Sequence, residues 1–254
     1  MNVQDEKKIA AMSEGGRKMG IILQELLEFT KTGTNLLDIE KLAQEKIKRA
    51  GGTPSFQTVE GYEWATCLCV NDEIVHGIPV MYDLQDGDVL TIDIGMVYKS
   101  FHTDTAWTKV VGASRADQKE EVDHFLSVGE QTLWKAIAQA KPGNHIGDIS
   151  TTIEKSVTSE GYSIVKSLVG HGVGKTLHED PQIPGFQKGA VARTPLLTAG
   201  MTIAIEIIYA HGKGSMVTDA EDGWTIRTRD GSLSAVFEHS IAVTENGPMV
   251  LTKV

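Results

Sequence analysis

Gly87-Asp88-Val89-Leu90-Thr91-Ile92-Asp93 and Gly200-Met201-Thr202-Ile203-Ala204-Ile205-Glu206 read as one device used twice. In each, a glycine opens a run of alternating side chains, and an acid stands six residues later. Side chains on a strand alternate between faces. Leu90, Ile92, Ile94 and Met96 therefore share one face of the first strand, with Val89, Thr91, Asp93 and Gly95 on the other. In the second, Met201, Ile203, Ile205 and Ile207 oppose Thr202, Ala204 and Glu206. Each carboxylate rides on a strand otherwise fit for burial.

The repetition extends upstream. At an offset of 110, Leu23 matches Leu133, Lys31 matches Lys141, Gly33 matches Gly143, Asp38-Ile39 matches Asp148-Ile149, and Gly51 matches Gly161. The first of these segments reads as a helix from about residue 5 to 30, because Ile9, Met12, Met19, Ile22, Leu23, Leu26 and Leu27 recur at spacings of three and four. Gly15 and Gly16 weaken it locally. A second helix is expected to start at Asn35, with Asp38 three residues on, and to stop near Gly51-Gly52. Each half thus holds a helix, a glycine turn, a second helix and an acid-bearing strand. The expected fold is α+β, duplicated about a pseudo-two-fold axis, with acids from both halves meeting near it.

Two more strands carry acids. Ala235, Phe237, His239 and Ile241 oppose Val236, Glu238, Ser240 and Ala242, and Asp104 is expected to open a strand running from Thr105 to Val111. Taken singly, each acid fits a strand edge in solvent or a salt bridge. Four in similar settings favour a shared purpose, because an ionised carboxylate among hydrophobes is costly unless paired or bound to a metal. Two divalent cations would cancel the charge of four carboxylates, whose oxygens suit hard to borderline metals.

The histidines divide into two groups. His76 lies in Ile74-Val75-His76-Gly77-Ile78-Pro79, His171 lies between glycines in Gly170-His171-Gly172, and His178 follows in Leu177-His178-Glu179-Asp180-Pro181. Histidine is a common metal ligand and a general acid–base near neutral pH. His102, His124, His145 and His211 lack such settings, and His124 and His145 read as structural or exposed. Cys67 and Cys69 would share one face of a strand, but two thiols are too few for a structural zinc site. They read as pocket or core cysteines.

Composition sets the outer bounds. The chain has 254 residues, with Lys plus Arg 24 against Asp plus Glu 34 and a formal charge of −10. That balance argues against nucleic acid or an anionic membrane as the main partner. Apolar residues at 41% exclude disorder and collagen-like sequence. No apolar run reaches the roughly 18 residues of a membrane span, and Met1-Asn2-Val3-Gln4-Asp5 lacks the plan of a secretory signal. The sparse cysteines suit a reducing, cytoplasmic location. No Pro-rich or low-complexity linker marks a domain boundary.

These segments together carry a resemblance. Val75-His76-Gly77-Ile78-Pro79, Ile92-Asp93-Ile94-Gly95, Phe101-His102-Thr103-Asp104-Thr105, Gly170-His171-Gly172-Val173-Gly174, His178-Glu179-Asp180-Pro181, Ile205-Glu206, Asp222-Gly223-Trp224-Thr225 and Ser234-Ala235-Val236-Phe237-Glu238-His239-Ser240 follow one another over nearly the whole chain. The sequence resembles the bacterial-type (type I) methionine aminopeptidases, a family with the pita-bread fold of two duplicated halves and a curved antiparallel sheet covered by helices. The ordered set Asp, Asp, His, Glu, Glu, with its aspartates eleven positions apart, is highly specific.

Carried over position by position, the resemblance implies metal ligands at Asp93, Asp104, His171, Glu206 and Glu238 and catalytic histidines at His76 and His178. It implies two divalent ions, with Mn, Fe, Co and Zn all acceptable to such ligands. A water or hydroxide between them would attack the first peptide carbonyl. Glu206 would manage the water's proton, His178 would stabilise the oxyanion, and His76 would contact the second-residue nitrogen. Tyr62, Cys67 and Trp224 match the family's first-residue pocket, whereas Leu177 stands where Phe is usual, Val59 where Tyr is frequent, and Ile207 where Pro is usual.

The implied function is removal of the initiator methionine from nascent chains, preferably before a small second residue. Residues 1–254 would form a single catalytic domain, a monomer in only transient contact with ribosomes. The competing readings are an X-Pro aminopeptidase or prolidase, for whose usual extra N-terminal domain the chain leaves no room; the same chemistry with altered first-residue preference; and a metal-free pita-bread binding module, which would be expected to have lost ligands.

Overall fold

The computed structural model describes residues 3–114 and 117–253; Met1 and Asn2 of the N-terminal stretch read above lie outside them. In chain order the elements are α1 (Val3–Phe29), α2 (Leu36–Arg49), β1 (Thr53–Pro54), β2 (Thr66–Val70), β3 (Glu73–Val75), β4 (Val89–Tyr98), β5 (Phe101–Val110), α3 (Lys119–Ile137), α4 (Ile146–Thr158), β6 (Ser163–Ile164), β7 (Val169–Gly172), β8 (Glu179–Pro184), β9 (Thr202–Ala210), β10 (Met216–Thr218), β11 (Ile226–Thr228), β12 (Ser234–Thr244) and β13 (Gly247–Val250).

The helices form where the apolar spacing places them. Gly15 and Gly16 lie within α1 because larger residues have no room there: a Cβ would come 2.8 Å from that of Tyr98 and 2.5 Å from the Leu251 carbonyl oxygen, respectively. Asn35 caps α2, accepting the Leu37 N–H at 3.0 Å. Its counterpart His145 precedes α4 and donates its backbone N–H to Asp148 at 2.8 Å.

Hydrogen bonds repeat between the halves. Gly33 N–H reaches Leu84 O and Gly143 N–H reaches Leu197 O; Leu36 and Ile146 donate to Tyr82 and Pro195; Gly87 and Gly200 donate to Val111 and Val243. The duplication read from a handful of matched residues is therefore built into the backbone.

All strand pairings are antiparallel. In the first half β4 pairs with β5, β2 and β1; in the second β9 joins β12, β7 and β6, with β13 beside β12 and β8 beside β7. A small third sheet runs β10-β11-β3. One face of the first half-sheet is sealed by α1 and α2, where Leu23, Leu26, Ile39 and Ile47 pack on Leu68, Leu90, Ile92 and Ile94. The second is sealed by α3 and α4, through Phe125, Leu133, Ile149 and Ile153 on Ile203, Ile205, Ile207 and Phe237. Each such side chain contributes about 1.5–3 kcal/mol by leaving water.

Between the halves, β5 and β12 run side by side, and no backbone ladder is assigned between them. Side-chain hydroxyls join them instead. Ser240 Oγ accepts the Asp104 N–H at 2.8 Å and donates to the Asp104 carbonyl at 2.8 Å. Thr108 Oγ1 accepts the Val236 N–H at 3.0 Å and donates to the Val236 carbonyl at 2.7 Å. The ladders make Ser240 the counterpart of Thr108 and Val236 the counterpart of Asp104, because their partners across β4 and β9 are Thr91 and Ala204, Gly95 and Ile208. The seam is one contact made twice.

One expectation is corrected. Asp104 does not open its strand: β5 starts at Phe101, and Asp104 is interior to it. Lys99 and Ser100, with φ of 50° and 67°, form a two-residue hairpin loop between Tyr98 and Phe101. Such a loop needs two left-handed residues and usually uses Asn or Gly, so neither residue signalled it.

Thr108→Val would leave the Val236 N–H and carbonyl buried without partners. It should lower stability by about 1–3 kcal/mol, read as a lower urea midpoint with an unchanged m-value.

Candidate active site

The ladders bring the acids together. On the face of β4 away from α1 and α2, Asp93 stands opposite Cys67 of β2 and Ala106 of β5, while Asp104 stands opposite Gly95. Asp93 and Asp104 are thus diagonal neighbours on one face. In the other half, Glu206 of β9 stands directly opposite Glu238 of β12, and His171 of β7 opposite Ala204. Close approach of β7 to its neighbours depends on the glycines around His171. A Cβ at Gly170 would lie 2.6 Å from the Ala204 carbonyl oxygen, and one at Gly172 2.3 Å from that of Asp180.

Asp93 and Glu206 occupy equivalent positions, but the other two acids do not. Glu238 corresponds to Ala106, and Asp104 to Val236. His171 corresponds to Cys69, which stands opposite Thr91. The centre is built asymmetrically on a symmetric frame.

Asp104, His171 and Glu238 are buried, and a ligand atom from each lies within 4.8 Å of the others. His171 Nε2 is 3.9 Å from Asp104 Oδ2 and 3.8 Å from Glu206 Oε1, too far for hydrogen bonds but suited to a shared cation. His171 Nδ1 donates to the Gly172 carbonyl at 2.8 Å, which fixes the tautomer and leaves Nε2 free as a ligand. Asp93 Oδ1, Asp104 Oδ1 and Glu238 Oε1 are buried without hydrogen-bond partners. Carboxylate oxygens left without partners, with a neutral imidazole grouped with those of Asp104 and Glu238, fit divalent metal ions.

Electrostatics points the same way. Burial, then repulsion from Asp104, pushes Asp93 well above the carboxylate range, and Glu238 rises for the same two reasons. Burial and Asp104 push Glu206 up to about 8. Burial pulls His171 down to about 4, so its ring is neutral at physiological pH. Without cations the cluster must hold protons; cations would replace them.

The cluster floors a cavity of about 150 Å³. Its apolar end is formed by Phe56, Tyr62, Cys67 and Leu177, with Val59 and Trp224 packed against them. Tyr62 meets Trp224 edge-on at 5.2 Å and donates its hydroxyl to Cys67 Sγ at 3.2 Å. Asp222 holds the Trp224 loop, accepting the Trp224 and Thr225 N–H groups at 2.7 and 2.9 Å. His76 and His178 line the same cavity and remain accessible to solvent. His76 sits at φ 58° just after β3, a left-handed conformation uncommon outside glycine and often found at functional sites. Burial lowers the pKa of both rings, and for His76 the neighbouring His178 adds to it.

The structure thus gathers every residue singled out for the site. Of the departing residues, Leu177 and Val59 line the apolar end. Ile207 is fully buried in the core under α3 and α4, away from the cavity. His124, read as structural or exposed, pairs with Glu160 at the surface, and His145, read alike, donates Nδ1–H to the Thr194 carbonyl at 2.7 Å; His211 pairs with Glu121. Cys69 accepts the Gly77 N–H at 3.4 Å. Two contributors escaped the sequence reading. Phe56 lines the cavity from a single 3-10 turn with no periodicity to betray it. Glu40, buried, accepts the Ala65 N–H and the Thr66 N–H and hydroxyl, fixing the start of the strand that carries Cys67. Its signal was an acid on the apolar stripe Leu36, Ile39, Ala43, Ile47.

The profile of Metallopeptidase family M24 matches residues 10–245. Methionine aminopeptidase 1 of Bacillus subtilis is 41% identical over 248 residues, covering 98% of this chain and 97% of its own length. Methionine aminopeptidase of Clostridium perfringens is 38% identical, covering 98% of each. The crystal structure of methionine aminopeptidase from Thermotoga maritima superposes with a TM-score of 0.91 at 39% identity, over 98% and 97% of the two chains. Prolidase from Pyrococcus furiosus, 21% identical with a TM-score of 0.77 over 64% of its length, shares the fold.

A raised carboxyl pKa makes the native state hold protons that the unfolded chain releases, so stability is full below the unfolded carboxylate range and falls as pH rises through the folded pKa. Metal-stripped protein should lose thermal stability from about pH 4.5 to about pH 8, the value for Glu206. Adding Mn(II) at pH 7.5 should restore it with release of protons, which calorimetry in buffers of different ionisation enthalpy would detect.

Proposed function

This chain belongs to metallopeptidase family M24, and on that premise we propose that it is an aminopeptidase that removes N-terminal methionine from peptides and nascent chains. The observation that carries this reading is the pairing of orphaned buried carboxylate oxygens with an aromatic-lined apolar end in one cavity of about 150 Å³. Asp93, Asp104, His171, Glu206 and Glu238 would hold two divalent ions, drawn from Co, Mn, Fe or Zn. When bound, such ions lower the pKa of water and polarise a carbonyl.

The residues divide the remaining work. The apolar end built by Phe56, Tyr62, Cys67, Leu177 and Trp224 takes the first side chain and leaves the scissile bond over the acids. Methionine suits it, because a flexible thioether fills an irregular aromatic-lined space. Glu206, which gives up its proton once cations occupy the cluster, would take the proton of the attacking water and deliver it to the departing amine. His178, whose ring pKa is lowered by partial desolvation, would donate its ring N–H to the developing oxyanion. His76 hydrogen-bonds the second-residue nitrogen. Val75, His76 and His178 line the cavity where the second residue would pass, and their bulk there would favour a small side chain.

The domain is read as one catalytic unit over residues 1–254, monomeric and cytoplasmic, meeting ribosomes only in passing. No helix among the described residues is long and apolar enough to cross a membrane, and neither membrane nor nucleic acid is assigned as a partner. A second reading, the same chemistry with a shifted first-residue preference, draws on Val59 and Leu177, which line the pocket directly. The X-Pro reading draws on the shared fold alone.

Metal-stripped protein should leave Met-Ala-Ser intact and cleave it when Mn(II) or Co(II) is added, with Leu-Ala-Ser and Ala-Pro-Ser poor substrates. Equal release of Leu would move the specificity; cleavage only before Pro would replace the reading; no cleavage by folded protein would end it. Glu206→Gln at saturating metal should lower kcat by about 10²–10⁴.

A further inference from the structure

A peptide whose first side chain fills the apolar end of the cavity needs a path for its remaining residues. A groove of about 510 Å³ shares Val75, His76, His171, His178 and Glu206 with that cavity and opens to solvent past Glu179, Asp180 and Gln182. A recess of about 300 Å³ continues from Glu179 and Asp180 to Asp5, Lys8 and Gly200.

The path is negatively charged. Glu179 is partly turned inward, accepting the Thr176 N–H at 2.9 Å, while Asp180 is exposed. Lys8 is the one Lys or Arg among the described residues lining groove or recess, and its ammonium already donates to the Gly200 carbonyl at 2.9 Å.

Resting on the aminopeptidase reading above, we propose that this groove, through Glu179 and above all Asp180, selects substrates by charge at the third and fourth residues, favouring cationic side chains and disfavouring acidic ones. The chemistry is that of an open acidic channel. The carboxylates lie beyond the scissile bond, where side chains of the leaving segment pass, and solvent keeps each interaction modest. A charged pair at an exposed site changes binding by about two- to five-fold, and salt screens it.

The test compares kcat/KM for C-terminally amidated Met-Ala-Lys-Lys-Ser, Met-Ala-Ser-Ser-Ser and Met-Ala-Glu-Glu-Ser with metal-loaded enzyme, at about 0.02 M and about 0.5 M salt. The Lys-to-Glu ratio should be about ten at low salt and fall below about two at high salt. Asp180→Asn should cut the low-salt ratio about two- to five-fold. Glu130→Gln, on the exposed face of α3 and lining neither cavity, should leave it unchanged. A ratio near one, a ratio untouched by Asp180→Asn, or an equal response to Glu130→Gln, which would reflect only the net charge, overturns the proposal. Failure to cleave even the Ser-Ser peptide overturns the aminopeptidase reading itself, and is thereby distinct from failure of the groove.

Discussion

Four carboxylates forced onto one buried surface are the constraint around which this structure is arranged. Repulsion among Asp93, Asp104, Glu206 and Glu238 opposes folding, and desolvation adds to the cost. The fold pins each acid by something stronger than its own side-chain contacts. Asp93, Glu206 and Glu238 lie mid-strand in long ladders; the backbone of Asp104 is clamped on both N–H and carbonyl by Ser240. Helices seal the opposite faces with full apolar cores. The strain that remains is electrostatic and can be relieved by protons or by cations.

Much of this was legible because strands encode faces with a period of two. Asp93 and Glu206 stood out as acids on strands whose other face was purely apolar, and both sit where that pattern puts them. The glycine turns and the Asn35 cap were visible for a similar reason: local backbone geometry demands those residue types. The seam was not legible. Nothing in Thr108 or Ser240 as letters says that a hydroxyl will replace a ladder, since the partner strand is more than a hundred residues away. The turn at Lys99-Ser100 was hidden because long side chains occupy conformations that glycine or asparagine would advertise, so Asp104 was set at the start of its strand instead of inside it. Phe56 and Glu40 act through tertiary contacts that no local period predicts.

The departures from the family pattern also separate once their places are known. Ile207 is a core residue under the helices and has no view of the cavity. Leu177 and Val59 touch it. A branched aliphatic and a small β-branched residue at the apolar end leave the shape set by Tyr62, Phe56 and Trp224, whose edge-on rings are individually rigid and mutually fixed. On the proposed function, the aromatic walls would set the outline offered to the first side chain and the two aliphatics would tune it.

The seam between β5 and β12 has the signature of an isologous dimer interface, in which residue i touches j and j touches i. Thr108 meets Val236 as Ser240 meets Asp104. Two identical chains meeting this way would come apart on dilution and would have to present every acid twice. Fusion into one polypeptide removes both restrictions. The halves stay joined at any concentration, and Ala106 can remain bare while its counterpart Glu238 carries charge, just as Cys69 can keep a thiol where its counterpart His171 offers an imidazole. Covalent linkage thereby turned a symmetric scaffold into one able to treat the two ends of a peptide bond differently.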